Sequence, residues 1–318
     1  MSATDMIIGF IMAFVATIGF NIAPIMQKTG FNQISMQFPG QEPFPLGQLL
    51  KNKVWFFGFL VNLVAGLPYV ISLSLIGISV LQPLTAFGYL LLVYVAVKKL
   101  GEKLTKTGII GIVVLALMPL FLTLSFVTNT TADMLAPGPL ISITFFTIIC
   151  GAATVALAIV DKLMKNHENS SLLWAILSGL LAGLGSIWGQ AIFAFVQSGG
   201  YNLIADLGKV FELLGNTYII AALVSLIPTL VFTVVGFIGQ QVGYKKGRAS
   251  LVYPITQSVN IIVSITGGII IFGQIVGMPV FYVIAIAFTL LGTLLVGRFQ
   301  TIITASPPKK ESVQVNDT

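Results

Sequence analysis

Tyr253, Thr256, Gln257 and Asn260 are spaced i, i+3, i+4 and i+7, the interval that sets side chains on one face of a helix. Gln82, Thr85 and Tyr89 repeat the i, i+3, i+7 part of that interval, and Gln190 is a further amide in an apolar run. Amides, hydroxyls and phenols give and take hydrogen bonds without carrying charge at neutral pH. The chemistry they offer is recognition of an uncharged or zwitterionic solute. An amide turned toward hydrocarbon would leave its donors and acceptors unsatisfied, so these groups should face a bundle interior or a wet cavity. The two stripes are expected to face each other across a central cavity. The plainer alternative is that they tie helices together at ~0.6 kcal/mol per bond.

Catalysis is not expected. None of the ten Asp and Glu and none of the sixteen Lys and Arg falls in the middle of an apolar run. His167, the one histidine, stands beside Lys165 and Glu168 in a polar stretch. No His or Cys cluster suits a metal, no phosphate-binding glycine loop occurs, and no Ser is paired with an embedded base, so no enzyme, metal centre or cofactor is expected. Without a carboxylate inside the apolar runs, proton antiport lacks its usual carrier, and uniport, exchange or coupling to another ion fits better.

The elements that must position these groups are membrane helices. The chain has 318 residues, 56% hydrophobic and 8% charged, against about 25% charged in a soluble domain. Runs of about 20 apolar residues, the length that crosses a ~30 Å hydrocarbon core, occur at 6–26, 55–76, 79–97, 108–126, 140–160, 172–195, 217–240, 249–271 and 279–297. They are too long and uninterrupted for barrel strands. The expected class is all-α, a polytopic bundle of nine spans in the cell membrane.

Fifteen of the sixteen cations then fall on one side, and only Lys209 on the other. The positive-inside rule makes this an N-out, C-in protein, and it assigns the net charge of +6 to topology and not to nucleic acid. Residues 28–54, with three prolines, Glu42 and several amides, are read as an inner loop in preference to a tenth helix. Asp5 just before the first run and Asn21 within it argue against a cleaved signal peptide. The lone Cys150 excludes an internal disulfide. Asn129 heads a glycosylation-type triplet, best read as chance, and residues 203–214 have the spacing of a helix lying on the outer interface.

The chain repeats itself. "ISVLQPLTAF" at 78–87 returns as "ASLVYPITQS" 171 residues later, and "QKTGFN" at 27–32 is echoed by "QSGGYN" at 197–202. Spans one to four thus match spans six to nine. A shift of five spans reverses the direction of crossing, so the halves are inverted, a construction common among secondary transporters. The expected divisions are 1–126 for the first repeat, 127–170 for the connecting span, 171–300 for the second repeat and 301–318 for a polar, disordered cytoplasmic tail. Pro83 and Pro254 fall toward opposite mouths, where a missing helix hydrogen bond could let a gate flex.

"SVLQPLTAFGYLLLVYVAVKKLGEKLTKTGIIGIVVL" and its counterpart "GYKKGRASLVYPITQSVNIIVSITGGIIIFGQ" resemble the drug/metabolite transporter (EamA-like) superfamily, whose fold is two inverted five-helix repeats. The likeness implies that the first helix of that fold is missing here. Nine spans and a first helix ending near "MQKTG" are also similar to the NIPA-type magnesium transporters of that superfamily, although "AGLPYV" stands where that branch carries Gly-Glu. The expected function is transport of a small solute by alternating access. The alternatives are a magnesium transporter and a scaffold or receptor that moves nothing. The expected partners are the lipid bilayer and a small solute, Mg²⁺ in the alternative, and a homodimer is a compatible assembly.

Overall fold

The computed structural model describes the backbone of residues 3–37, 46–76, 78–100, 105–125, 127–128, 133–164, 169–201 and 215–304, and within these the side chains except at 3–6, 46, 70, 73–76, 78–87, 90, 127–128 and 296–304. The described residues are almost wholly helical. In order they form α1 (Ala3–Gln37), α2 (Leu46–Lys51), α3 (Lys53–Ile76), α4 (Ile78–Leu100), α5 (Lys106–Leu124), β1 (Val127–Thr128), α6 (Pro137–Leu163), α7 (Ser170–Ser198), α8 (Thr217–Lys246), α9 (Ala249–Phe272), β2 (Ile275–Val276) and α10 (Pro279–Thr304). Six of them, α1, α5, α6, α7, α8 and α9, are long and apolar enough over their described residues to cross a membrane. The chain is a polytopic helical membrane protein.

Several helix ends have local causes. Asn52 separates α2 from α3, and its side-chain oxygen accepts the Trp55 backbone N–H at 2.9 Å, capping α3. Thr105 caps α5 through the Gly108 N–H, and Asn216 caps α8 through that of Tyr218. Pro137 opens α6, where its missing N–H costs nothing. Gly273 closes α9 with φ of 65°, a left-handed conformation that favours glycine.

Residues 28–54 differ from the loop expected of them. α1 runs on to Gln37, and α2 occupies Leu46–Lys51. The three prolines that argued for a loop, Pro39, Pro43 and Pro45, all lie beyond Gln37 and outside the described residues. At ~1.5 Å per residue, the 35 residues of α1 exceed a ~30 Å hydrocarbon core. The helix must therefore tilt or emerge from it.

α1 packs most closely along α3, and α7 along α8; α5 lies on α10, α9 lies on α7, and α4 touches α1, α5 and α9. Small residues let these backbones approach: a Cβ added to Gly19 would stand 2.6 Å from the Ala65 Cβ, and one added to Gly183 would stand 2.5 Å from Val263 Cγ1. α6 is peripheral, with Phe145, Ile148 and Ile149 exposed, as side chains facing lipid should be.

The segments between helices gather at two ends. At one, the Lys28 ammonium donates to the Tyr244 carbonyl, and Asp161 at the end of α6 takes hydrogen bonds from Ser170 of α7 and from Lys246 of α8. At the other, β1 pairs antiparallel with β2, the Met278 N–H donates to the Ser125 carbonyl, and the Tyr218 hydroxyl donates to Asp133 at 3.2 Å. The first is the lysine-rich end. Its core is built around Trp55, Tyr89, Leu92, Tyr244 and Leu251, while Met134, Leu184, Ile187 and Phe272 fill the other.

Candidate functional site

The α9 stripe divides between two neighbours. Tyr253 points to α4, where its ring meets that of Tyr89 edge to face at 6.1 Å, with Gln257 in hydrogen-bonding reach of its hydroxyl. Thr256 and Asn260 turn instead to α7. The Asn260 side-chain oxygen accepts from Ser186 at 3.2 Å and from Ser264 at 3.3 Å, and its amide N–H donates to Gln257 at 3.3 Å. One buried patch is thereby assembled from α4, α7 and α9. Asn260 and Gln257 are half-buried in it, and Ser186 at its edge is exposed.

Thr256 is less available than its spacing suggests. Its hydroxyl donates to the Ala175 carbonyl at 3.1 Å and pairs with the Ser178 hydroxyl at 3.0 Å, and the residue is buried. It ties α9 to α7. Gln190 is half-buried on α7, one turn beyond Ser186. Gln82, Pro83 and Thr85 fall within α4, with side chains outside the described residues. Pro254 is buried inside α9, and prolines also sit within α1, α3, α5 and α8. His167, Lys209, Asn129 and residues 203–214 lie outside the described residues.

A second buried polar group was not anticipated. Gln241 of α8 accepts a hydrogen bond from the Trp55 indole N–H of α3 at 3.0 Å and donates one to Gln27 of α1 at 2.8 Å. All three side chains are 5% exposed or less. Partners 186 and 214 residues apart in the chain leave no local pattern to read. The available signal was the i, i+4 alignment of Phe237 with Gln241, which puts the amide beside an aromatic row formed with Trp55 and Phe59.

Beside this relay a cavity of about 820 Å³ opens between α3 and α8 at the lysine-rich end. Leu49, Phe59, Leu63 and Phe237 give it mainly apolar walls; Asn62, Thr233 and Gln241 are polar, and Lys245 and Lys246 line one rim. It does not coincide with the α4/α7/α9 patch.

The chain is 24% identical over 277 residues to the probable magnesium transporter NIPA9 of Arabidopsis thaliana, covering 83% of this chain and 73% of that one. No family model matches it, and no solved structure does. The apolar helices and this distant likeness support a transporter role in a membrane.

The patch itself is neutral. Among the described residues no three His, Cys, Asp or Glu side chains come together as metal ligands would. The Asp161 group lies apart at the lysine-rich end, where one carboxylate takes Lys246 and the Trp174 indole N–H, each at 2.7 Å, while the Lys246 ammonium sits 5.4 Å from the Trp174 ring centroid. It joins α6, α7 and α8 and is structural. What the α4/α7/α9 patch can do is exchange hydrogen bonds with a polar solute or with the water shell of an ion.

Proposed function

We propose that the chain is a secondary transporter that carries a small uncharged or zwitterionic solute by alternating access. Asn260 is the observation that carries this reading. It is an amide deep within a membrane helix, half-buried and bonded to α7 and to its own helix, set in a bundle whose apolar runs hold no central charge. Gln257, Tyr253 and Tyr89 complete the surface, with Gln82, Thr85 and Gln190 as its further members and Thr256 as the link that positions α9.

The pairing of α1 with α3 and of α7 with α8 is what two copies of one unit would make, and it supports inverted halves at 1–126 and 171–300. Rocking of one half against the other would expose the patch to each side in turn, with Pro83 and Pro254 near opposing gates. The lysine-rich end is the cytoplasmic one by the positive-inside rule, and the membrane is the cell membrane.

A second reading is magnesium transport, favoured by the likeness to NIPA9. Neutral oxygens such as those of Asn260, Ser186 and Ser264 would meet the ion's water shell, since Mg²⁺ gives up its waters reluctantly. Reconstituted vesicles separate the readings. Counterflow of labelled organic solutes supports the first, and Mg²⁺ influx read by an internal indicator and blocked by other divalent cations supports the second. Absence of both would leave a scaffold or receptor.

A further inference from the structure

Asn62 is an amide in an otherwise apolar stretch of α3. Its side chain is half-buried, takes no hydrogen-bond partner from the described residues, and lines the cavity between α3 and α8. At ~1.5 Å per residue it stands about 14 Å beyond Lys53, near the middle of a ~30 Å hydrocarbon core. An amide at that depth needs a partner. Two more neutral groups line the same space, Thr233 and Gln241. The Gln241 amide uses one N–H on Gln27 and one lone pair on the Trp55 indole, and it retains one of each. Lys245 and Lys246 line the end of the cavity where α8 closes, and both are engaged, Lys246 by Asp161 at 2.7 Å.

The walls around these groups are aromatic. Trp55 and Phe59, one turn apart on α3, hold their rings parallel within 3°, and Phe237 of α8 sets its ring edge-on to them at 6.2 and 5.7 Å. The volume of about 820 Å³ is within the ~300–1,000 Å³ usual for small-ligand pockets. Leu63 and Val234 also line the cavity and are 64% and 53% exposed, so its opening faces the side of the bundle. Apolar, aromatic walls with a few uncharged hydrogen-bonding groups suit a molecule that arrives through the bilayer. Rings fit the walls, and a hydroxyl or carbonyl answers the amide.

We infer that the α3/α8 cavity binds one uncharged, lipid-soluble molecule made of an apolar ring body and a hydroxyl or carbonyl group. Its rings lie against Trp55, Phe59 and Phe237, and its polar group meets Asn62. The site is separate from the Asn260 patch, and its occupancy requires no transport.

Trp55 is the reporter. In a Trp174→Phe/Trp188→Phe chain it is the one indole left of three, and bromine quenches it only on close approach. The probes are a brominated biphenylmethanol and the brominated ethylbiphenyl of the same shape, which lacks the hydroxyl, compared at equal concentrations in phosphatidylcholine vesicles. Both should quench to saturation, the alcohol at a half-saturation concentration about 2- to 12-fold lower, as one hydrogen bond provides. Asn62→Leu, which puts an apolar side chain in an apolar helix, should abolish the difference. Quenching that rises without saturation, equal curves for the two probes, or a difference that survives Asn62→Leu would overturn the inference. So would strong quenching by aqueous acrylamide, which would mark a water-filled vestibule. Quenching by acyl-brominated phosphatidylcholine that unbrominated biphenylmethanol does not relieve would give the cavity to an acyl chain instead. With all three tryptophans in place, the alcohol should raise the melting midpoint more than the ethyl compound does, and equal shifts would count against the site. Both readouts are free of flux, so they stand or fall apart from the transport reading.

Discussion

The Tyr89 and Tyr253 rings meet edge to face with their centroids 6.1 Å apart, joining α4 to α9. Tyr253 lies within the stretch 249–258, and Tyr89 stands two residues past the end of its echo at 78–87. Edge-to-face pairs add ~0.5–1.5 kcal/mol beyond burial, enough to hold the helices together and little enough to release. At this level the stripes touch directly; the half-buried part of the patch lies further along α9, at Gln257 and Asn260.

Replacing Asn260 or Gln257 with Ala should impair flux. Losing a partner in a shared hydrogen-bond set costs ~1–3 kcal/mol, so transport in reconstituted vesicles should fall by about 5- to 100-fold at matched protein levels. Flux equal to that of the unaltered chain in both variants would remove these residues from the site.

Gly88 is held small by its neighbour on α1. A Cβ there would stand 2.0 Å from the Asn21 side-chain nitrogen and 2.6 Å from Thr17 Cγ2, whereas nothing lies within 4 Å of one at Gly66. Gly88→Ala should destabilise the protein by ~1–3 kcal/mol, and Gly66→Ala should leave the melting midpoint in detergent unchanged or raise it. Equal midpoints for Gly88→Ala and the unaltered chain would contradict the packing of α1 on α4.

Gln241→Leu strands two buried groups at once, the Trp55 indole N–H and the Gln27 side-chain oxygen. The expected loss is ~1–3 kcal/mol per stranded group. Adding Gln27→Leu should restore part of it, because an apolar pair leaves fewer unmet partners. A double-mutant cycle on thermal unfolding checks this; strict additivity would mean that the two amides do not interact.

Asp161→Ala should cost more than Lys246→Gln. The Asp161 side chain is 10% exposed and serves three donors, whereas the Lys246 side chain is 36% exposed. Removing the shared acceptor costs ~1–3 kcal/mol, and losing one half-exposed cation ~0–1 kcal/mol. Melting midpoints in the reverse order would show that the cation, not the carboxylate, organises this end.

Helix positions were legible because their causes are local. In lipid each backbone group must be satisfied within its own segment, so a run such as 217–240 declares itself, and α8 differs mainly by continuing to Lys246. The expectation of a loop at 28–54 averaged the composition over the whole segment, whereas its described parts up to Gln37 and at Leu46–Lys51 are helical. The α9 stripe was visible as spacing, but its division between α4 and α7 was not. Helical periodicity gives a face, and the neighbours' positions decide what that face meets.

By itself the sequence determined that the chain is a helical membrane protein, where its apolar runs lie, and that they carry amides and hydroxyls but no central charge. Only the tertiary structure decided that Gln27, Trp55 and Gln241 share one relay, that Thr256 binds α7 while Tyr253 meets Tyr89, and that α3 and α8 part to leave a cavity. The reason is physical. Burial in hydrocarbon constrains each helix alone, but between helices lipid and protein are equally apolar, so close packing of small residues and a few hydrogen bonds select the partners.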